Sequence, residues 1–251
     1  MINAVILAGE NNDSRLKDYS PNKALLEING KYMIEYILDV LEEIEDIEKI
    51  VVVGPEDLLN NLVKGKLEKI IPCTDSLVKN AVNGMNYFSE EKMILILSCD
   101  IPMITPEAIK DFLAQTAKVS ADFYYPIISK EANDKKYPGV KRTYVKLKDG
   151  TFTGGNIILV NPATIKKVVH KTEEFLENRK KPLKLAAALG WNFVIKLILG
   201  KLTVAELEKR VSELLGIKPI AIFSDFPEIG TDVDKPSDFS LARKVLGSKI
   251  Y

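Results

Sequence analysis

The residue in this chain best placed for chemistry is an aspartate just beyond an apolar strand. Met93 to Leu97 (MILIL) runs into Ser98-Cys99-Asp100-Ile101-Pro102. That spacing leaves the Asp100 carboxylate desolvated on one side at the carboxyl edge of a sheet, where oxygen ligands can hold a hard divalent cation. The competing role, capping the next helix, is already filled by Thr105-Pro106. A second apolar run ends in Leu7-Ala8-Gly9 and opens into Glu10-Asn11-Asn12-Asp13-Ser14-Arg15. Backbone N–H groups after such a strand can approach a phosphate, and Arg15 could pair with it. Alone, the stretch reads equally well as an ordinary βα loop with solvated side chains. Other chemistries are poorly supplied. His170 is the single histidine, in a basic helical stretch, which removes multi-histidine metal sites. Cys73 and Cys99 are the only cysteines and one lies in an apolar run, so no disulfide framework is expected and a reducing compartment is.

These groups need a scaffold, and the hydrophobic pattern supplies one. With 251 residues, 46% hydrophobic and 28% charged, the chain is long enough for a substantial core and unlike a disordered or coiled-coil sequence. Lys+Arg and Asp+Glu are both 35, so no global basic field invites nucleic acid. Ala4 to Ala8, Ile50 to Val53 and Met93 to Leu97 are nearly all apolar, as strands covered on both faces are. Between the first two, Ile34, Ile37, Leu38, Leu41 and Ile44 recur at helical spacing. Asn80 to Phe88 reads as a second crossover helix, and Thr105-Pro106-Glu107 starts a third. After residue 120 the pattern becomes alternating, over Phe123 to Ile128, Thr143 to Lys148 and Thr151 to Val160, with a turn at Lys148-Asp149-Gly150. Asn161-Pro162 caps a helix, Leu183 to Leu199 forms another, and Thr203 with Glu206 boxes the start of one that Gly216 closes. Lys218 to Ser224 returns as a strand and Pro236 opens the last helix. The expectation is one domain, 1–251, with a helical insertion at about 170–216. No basic leader precedes the first strand, so no secretory signal is expected and the cytoplasm is the default location.

In combination, these segments resemble the nucleotidyltransferases of the sugar-nucleotide, molybdenum-cofactor (MobA-like) and methylerythritol cytidylyltransferase group. The resemblance rests on Leu7-Ala8-Gly9, Arg15, Lys23-Ala24-Leu25, Gly30-Lys31, the Asp100-Ile101-Pro102 strand end, and Asp232-Val233-Asp234-Lys235-Pro236. Glu10 replaces a usual second glycine, and the Gly9-to-Arg15 spacing is one residue longer than the common pattern. The resemblance implies an α/β, GT-A-like (Rossmann-like) three-layer sandwich with a mixed, mostly parallel sheet. It implies that the Leu7, Ala8 and Gly9 backbone contacts the nucleotide, that Lys23 and Arg15 hold phosphates, and that Asp100 and Asp234 bind Mg2+, with Asp232 as the rival of Asp234. The activity implied moves an NMP group from a nucleoside triphosphate to a phosphorylated or hydroxyl acceptor and releases pyrophosphate. Asn80 aligns with a base-contacting position, though Asn80 or Ser76 could simply cap a helix. Thr153-Gly154-Gly155-Asn156 breaks a strand with two glycines, which suggests a bulge or a close ligand approach, and in the family this region faces the acceptor. Lys141 and Arg142 could meet an anionic acceptor; Asp238 reads as a plain helix-cap acid.

Two other readings stay open: a nucleotide-sugar-dependent glycosyltransferase, although Asp-x-Asp is missing on the metal strand, and a non-catalytic nucleotide-binding module whose helical insertion serves a partner. Leu183 to Leu202 is apolar apart from Lys201 and a stripe of Lys184, Asn192 and Lys196. No span is long enough to cross a membrane. The favoured expectation buries this helix beneath Val204, Leu207, Val211 and Leu214. The alternative makes it a lip, anchored by Trp191 and Phe193, for a homodimer, a membrane surface or a lipid-like acceptor.

Overall fold

The computed structural model describes residues 1–9, 20–88, 93–169 and 190–247. Arg15, His170 and the first part of the expected 183–199 helix lie outside the described residues. The strands are β1 (Ile2–Leu7), β2 (Glu27–Ile28), β3 (Lys31–Tyr32), β4 (Ile47–Gly54), β5 (Leu67–Pro72), β6 (Ile94–Ser98), β7 (Phe123–Ser129), β8 (Val145–Leu147), β9 (Gly150–Gly154), β10 (Ile157–Val160) and β11 (Pro219–Ser224). The helices are α1 (Met33–Glu42), α2 (Glu56–Leu59), α3 (Leu77–Asn86), α4 (Pro106–Thr116), α5 (Lys130–Lys136), α6 (Trp191–Ile198), α7 (Val204–Leu215) and α8 (Pro236–Gly247), with an unlabelled helical stretch over 162 to 169.

β5, β4, β1 and β6 lie side by side and parallel. The chain winds outward from β1 through β4 to β5 and then crosses back to β6. This makes the gap between the carboxyl ends of β1 and β6 the switch point where open α/β sheets bind ligands. Strand alternation builds the two flanking layers. Ala4, Ile6, Ile50 and Val52 face α1 and α4, packing with Ile34, Ile37, Leu41, Ile109 and Phe112. Val5, Val51 and Val53 point the other way, onto Met85 and Phe88 of the α3 region. Helices on both faces of a mostly parallel sheet make the expected three-layer sandwich.

β10 runs antiparallel to both β6 and β7, and β11 pairs parallel with the free edge of β7. The segment read from the sequence as one strand, Thr151 to Val160, is two. β9 and β10 follow the same edge of β7, but the residues from Gly154 to Leu159 span only those from Tyr124 to Ile127, so Gly155 and Asn156 form a bulge. It carries the β8–β9 hairpin beyond the carboxyl end of β6. β5 escapes the pattern reading because Glu68 and Lys69 interrupt its apolar run, and α5 because it is short and polar. α3 starts earlier than Asn80, at the Ser76 cap, whose hydroxyl accepts the Lys79 N–H at 3.2 Å. Thr105, Asn161, the Thr203–Glu206 box and Gly216 cap their helices as expected.

The favoured reading of the helix after residue 183 does not hold for its described part. α6 buries none of its residues fully. Phe193 packs inward on Leu147, Phe152 and Leu202, whereas Trp191, Ile195, Ile198 and Leu199 stay exposed. An eight-residue helix resting on so small a cluster can cover only one side.

Close layer packing makes Gly84 irreplaceable. A Cβ there would strike the Val5 Cγ1 atom and meet Val53 Cγ2 at 3.0 Å. Both contacts belong to central strands that cannot retreat. Gly84→Ala should lower the unfolding free energy by about 1–3 kcal/mol, read as a lower urea midpoint with an unchanged slope.

Candidate active site

Asn22 caps a short 3-10 turn, Lys23–Leu25, and places Lys23 over the switch point. Its Oδ1 accepts the Ala24 N–H at 2.8 Å, while its Nδ2 donates to the Ala8 carbonyl at 3.2 Å. The β2–β3 hairpin that follows turns on Asn29-Gly30, both at positive φ (51° and 82°), as a tight primed turn requires. The Lys23 ammonium is thereby directed into the sheet edge with its side chain only 4% exposed. It donates to Asp100 Oδ2 at 2.6 Å and also to Asp234 Oδ1.

Asp100 is fixed from both sides. Ser98 Oγ donates to its Oδ1 at 2.5 Å, and its backbone carbonyl accepts the Val233 N–H at 2.9 Å. That second bond ties the 231–235 segment to the end of β6. Asp238, in the first turn of α8, accepts the Asp234 N–H at 3.2 Å, so the acid read as a cap also orients its neighbour. Asp232 is held by Arg142 Nη1, whose other terminal nitrogen donates to the Gly230 carbonyl. Arg142 therefore clamps the carboxylate segment instead of awaiting an acceptor, while Lys141 is exposed. Oxygens of Asp100, Asp232 and Asp234 all lie within 4.8 Å of one another, so Asp232 joins Asp234 and does not replace it.

Three carboxylates meet two cations here, and the balance sets each protonation state. Burial works against the Lys23 ammonium, but Asp100 and Asp234 outweigh it and raise the pKa, so Lys23 is a fixed cation and not a base. Burial and then Asp100 push Asp232 upward, against Arg142. Asp234 moves down: its own burial is overcome by Asp232 and Lys23. Cys99, buried beside them, is raised to about 12 by burial and then by Asp100, which keeps it a neutral thiol at neutral pH. The donor set suits Mg2+: hard oxygens only, excess negative charge, and a position at the rim of the sheet.

The other expected contacts sort differently. The Ala8 N–H is used by the Val53 carbonyl at 2.8 Å, and the Leu7 carbonyl accepts from Cys99 N at 3.1 Å. These two residues thus build the loop base, and Gly9 is the first position beyond it. A Cβ at Gly9 would lie 3.1 Å from Asn80 Nδ2. The Asn80 carboxamide closes on Thr74, accepting its N–H at 2.7 Å and donating to its carbonyl at 2.9 Å. It fixes the 74–76 loop beside Gly9. Gly154 and Gly155 are required by the protein's own packing: a Cβ on Gly154 would enter the Tyr125 hydroxyl, and one on Gly155 would lie 2.7 Å from Ile229 Cγ2 and Pro126 Cγ. Asn156 bonds through its backbone to Ile229 O (2.8 Å) and from Ser98 N (3.0 Å), which brings the bulge within one residue of the Asp100 loop.

Asn22 and Ser98 are positioning groups that sequence reasoning did not assign, although each stands next to or two residues from a motif residue it supports. Arg142, read as a possible acceptor contact, positions Asp232 from ninety residues away, which no local pattern shows.

A lysine held among carboxylates at the switch point of a mostly parallel sheet places the candidate site where open α/β folds bind their ligands. The chain belongs to the MobA-like NTP transferase family, whose domain description matches residues 4–191. A probable molybdenum cofactor guanylyltransferase from Natranaerobius thermophilus is 32% identical over 130 residues, a match covering 51% of this chain and 61% of that protein. A solved structure titled as a hypothetical transferase from Thermus thermophilus shares 32% identity, with a TM-score of 0.84, over 95% of this chain and 99% of its own. The fold is also that of a CMP:2-keto-3-deoxy-manno-octonic acid synthetase solved with CTP, at 15% identity and a TM-score of 0.64, covering 100% of both chains.

Removing the Arg142 guanidinium strands Asp232 and the Gly230 carbonyl. Arg142→Ala should destabilise the fold by about 2 kcal/mol in a denaturant titration. Lys141→Ala, one residue away and exposed, should leave the same midpoint unchanged.

Proposed function

We propose that the protein is a Mg2+-dependent nucleotidyltransferase. On this reading it moves an NMP group from a nucleoside triphosphate to a phosphorylated or hydroxyl acceptor and releases pyrophosphate. The observation that carries it is Lys23 bridging Asp100 and Asp234, with Asp232 in reach, beside the Leu7–Gly9 loop. Asp100, Asp234 and Asp232 would hold the cation, which when bound supplies charge neutralisation and orientation for the triphosphate. Lys23, locked in its charged form, donates to phosphate oxygens and stabilises the charge that builds on the α-phosphate and the leaving group. The Asn80–Thr74 loop and Gly9 frame the nucleotide side. The bulge at Gly155 and Asn156 borders the opposite side, where an acceptor would sit in line with the α-phosphorus. A phosphate acceptor arrives ionised, so with that acceptor the reaction needs no histidine base. Catalysis is then mainly positioning and electrostatics. The relatives named as guanylyltransferases make GTP the first donor to try.

Pyrophosphate release measured over four triphosphates and a panel of phosphorylated acceptors tests the reading. Turnover should require Mg2+, and Asp100→Asn or Lys23→Ala should reduce kcat about 10²–10³-fold while the circular dichroism spectrum is kept. Full turnover by Asp100→Asn would remove the metal assignment. Nucleotide binding without pyrophosphate release would instead support a binding module.

A further inference from the structure

Among the described residues no helix is long and apolar enough to cross a membrane, and none of them covers the apolar face that α6 carries. Trp191, Ile195, Ile198 and Leu199 recur at helical spacing and are 65%, 54%, 78% and 59% exposed. Phe193, turned inward onto Leu147, Phe152 and Leu202, seats the helix on the β8–β9 hairpin. Scattered exposed apolar side chains are ordinary; four on one short helix, one of them the chain's only tryptophan, are a patch.

The rim of this patch says what covers it. Gly200, which ends the helix, lies against Lys146, whose Cε would be 3.6 Å from an added Cβ. Lys148 donates its backbone N–H to the Leu202 carbonyl at 2.8 Å, and Lys201 follows the helix directly. All three lysines are exposed. Of the nearby acids, Glu206 is paired with Lys196 at 2.5 Å, and Asp149, which accepts the Val204 N–H at 2.9 Å, offsets one of the three lysines and leaves the rim basic. A second copy docking through the same face would set lysines against lysines across a two-fold axis. An anionic bilayer matches both the apolar face and its basic edge.

We infer that α6 and this lysine rim form an interfacial anchor that seats the protein on negatively charged membranes. Trp191, Ile195, Ile198 and Leu199 enter the headgroup boundary, and Lys146, Lys148 and Lys201 face lipid phosphates. The inference does not depend on the transferase reading, since its readout is binding alone.

Because Trp191 is the sole tryptophan, its emission reports the site directly. The full chain is titrated with vesicles of phosphatidylcholine alone and of phosphatidylcholine mixed with phosphatidylglycerol. The expected result is a blue shift and co-sedimentation with the anionic vesicles, reversed by high salt. The triple variant Lys146→Glu, Lys148→Glu, Lys201→Glu should weaken partitioning about 100-fold, and Ile198→Ser with Leu199→Ser about tenfold. Both sets should leave the thermal midpoint unchanged, because these side chains are exposed. No binding to either vesicle overturns the proposal, as does equal binding to neutral and anionic vesicles. A concentration-dependent dimer with blue-shifted emission before any lipid is added, dissociated by Ile198→Ser, would assign the face to a second copy instead.

Discussion

One ionic contact organises this molecule: a nearly inaccessible lysine ammonium shared between two aspartates from distant parts of the chain. A buried cation without partners is expensive, and so is a cluster of carboxylates. Each therefore requires the other, and every element around them can be read as a device for keeping them in register. Asn22 sets the lysine, Ser98 and the Val233 amide set the first acid, and Asp238 sets the second. Removing any of these supports loosens the register in which the nearly inaccessible Lys23 meets its acids.

The sheet makes the contact geometrically available. Winding out from β1 and then crossing to β6 brings two carboxyl ends together with no helix between them. On the far side of β6 the antiparallel β10 would leave that rim flat, but the bulge at Gly155 and Asn156 lifts the β8–β9 hairpin beyond it. The two glycines are forced by contacts with Tyr125, Pro126 and Ile229, so a constraint of internal packing shapes the wall of the site.

Much of this was legible from the residues. The central strands announce themselves because both faces are covered, and a strand that must avoid water twice has no room for polar residues. Asp100 was singled out from its place beyond a buried strand, Lys23 and Asp234 from the family resemblance, and the structure brings the three together. What stayed hidden was what depends on long-range partners. Nothing local distinguishes Arg142, ninety positions from Asp232, from any solvated arginine. At shorter range, Asn80, left open in the sequence between a base contact and a helix cap, proves to hold Thr74 through its carboxamide. The α6 helix misled for another reason: apolar composition predicts burial only when there is enough neighbouring surface to bury it, and a sequence does not count its neighbours.

The order in which the acids occur along the chain has a consequence for folding. Every described strand of the sheet precedes residue 225, whereas Asp232, Asp234 and the helix that braces them follow it. The strand ladders that bring Lys23 opposite Asp100 are complete without that segment, so the remaining oxygen ligands are added by docking 231–247 onto the end of β6 through the Val233 amide.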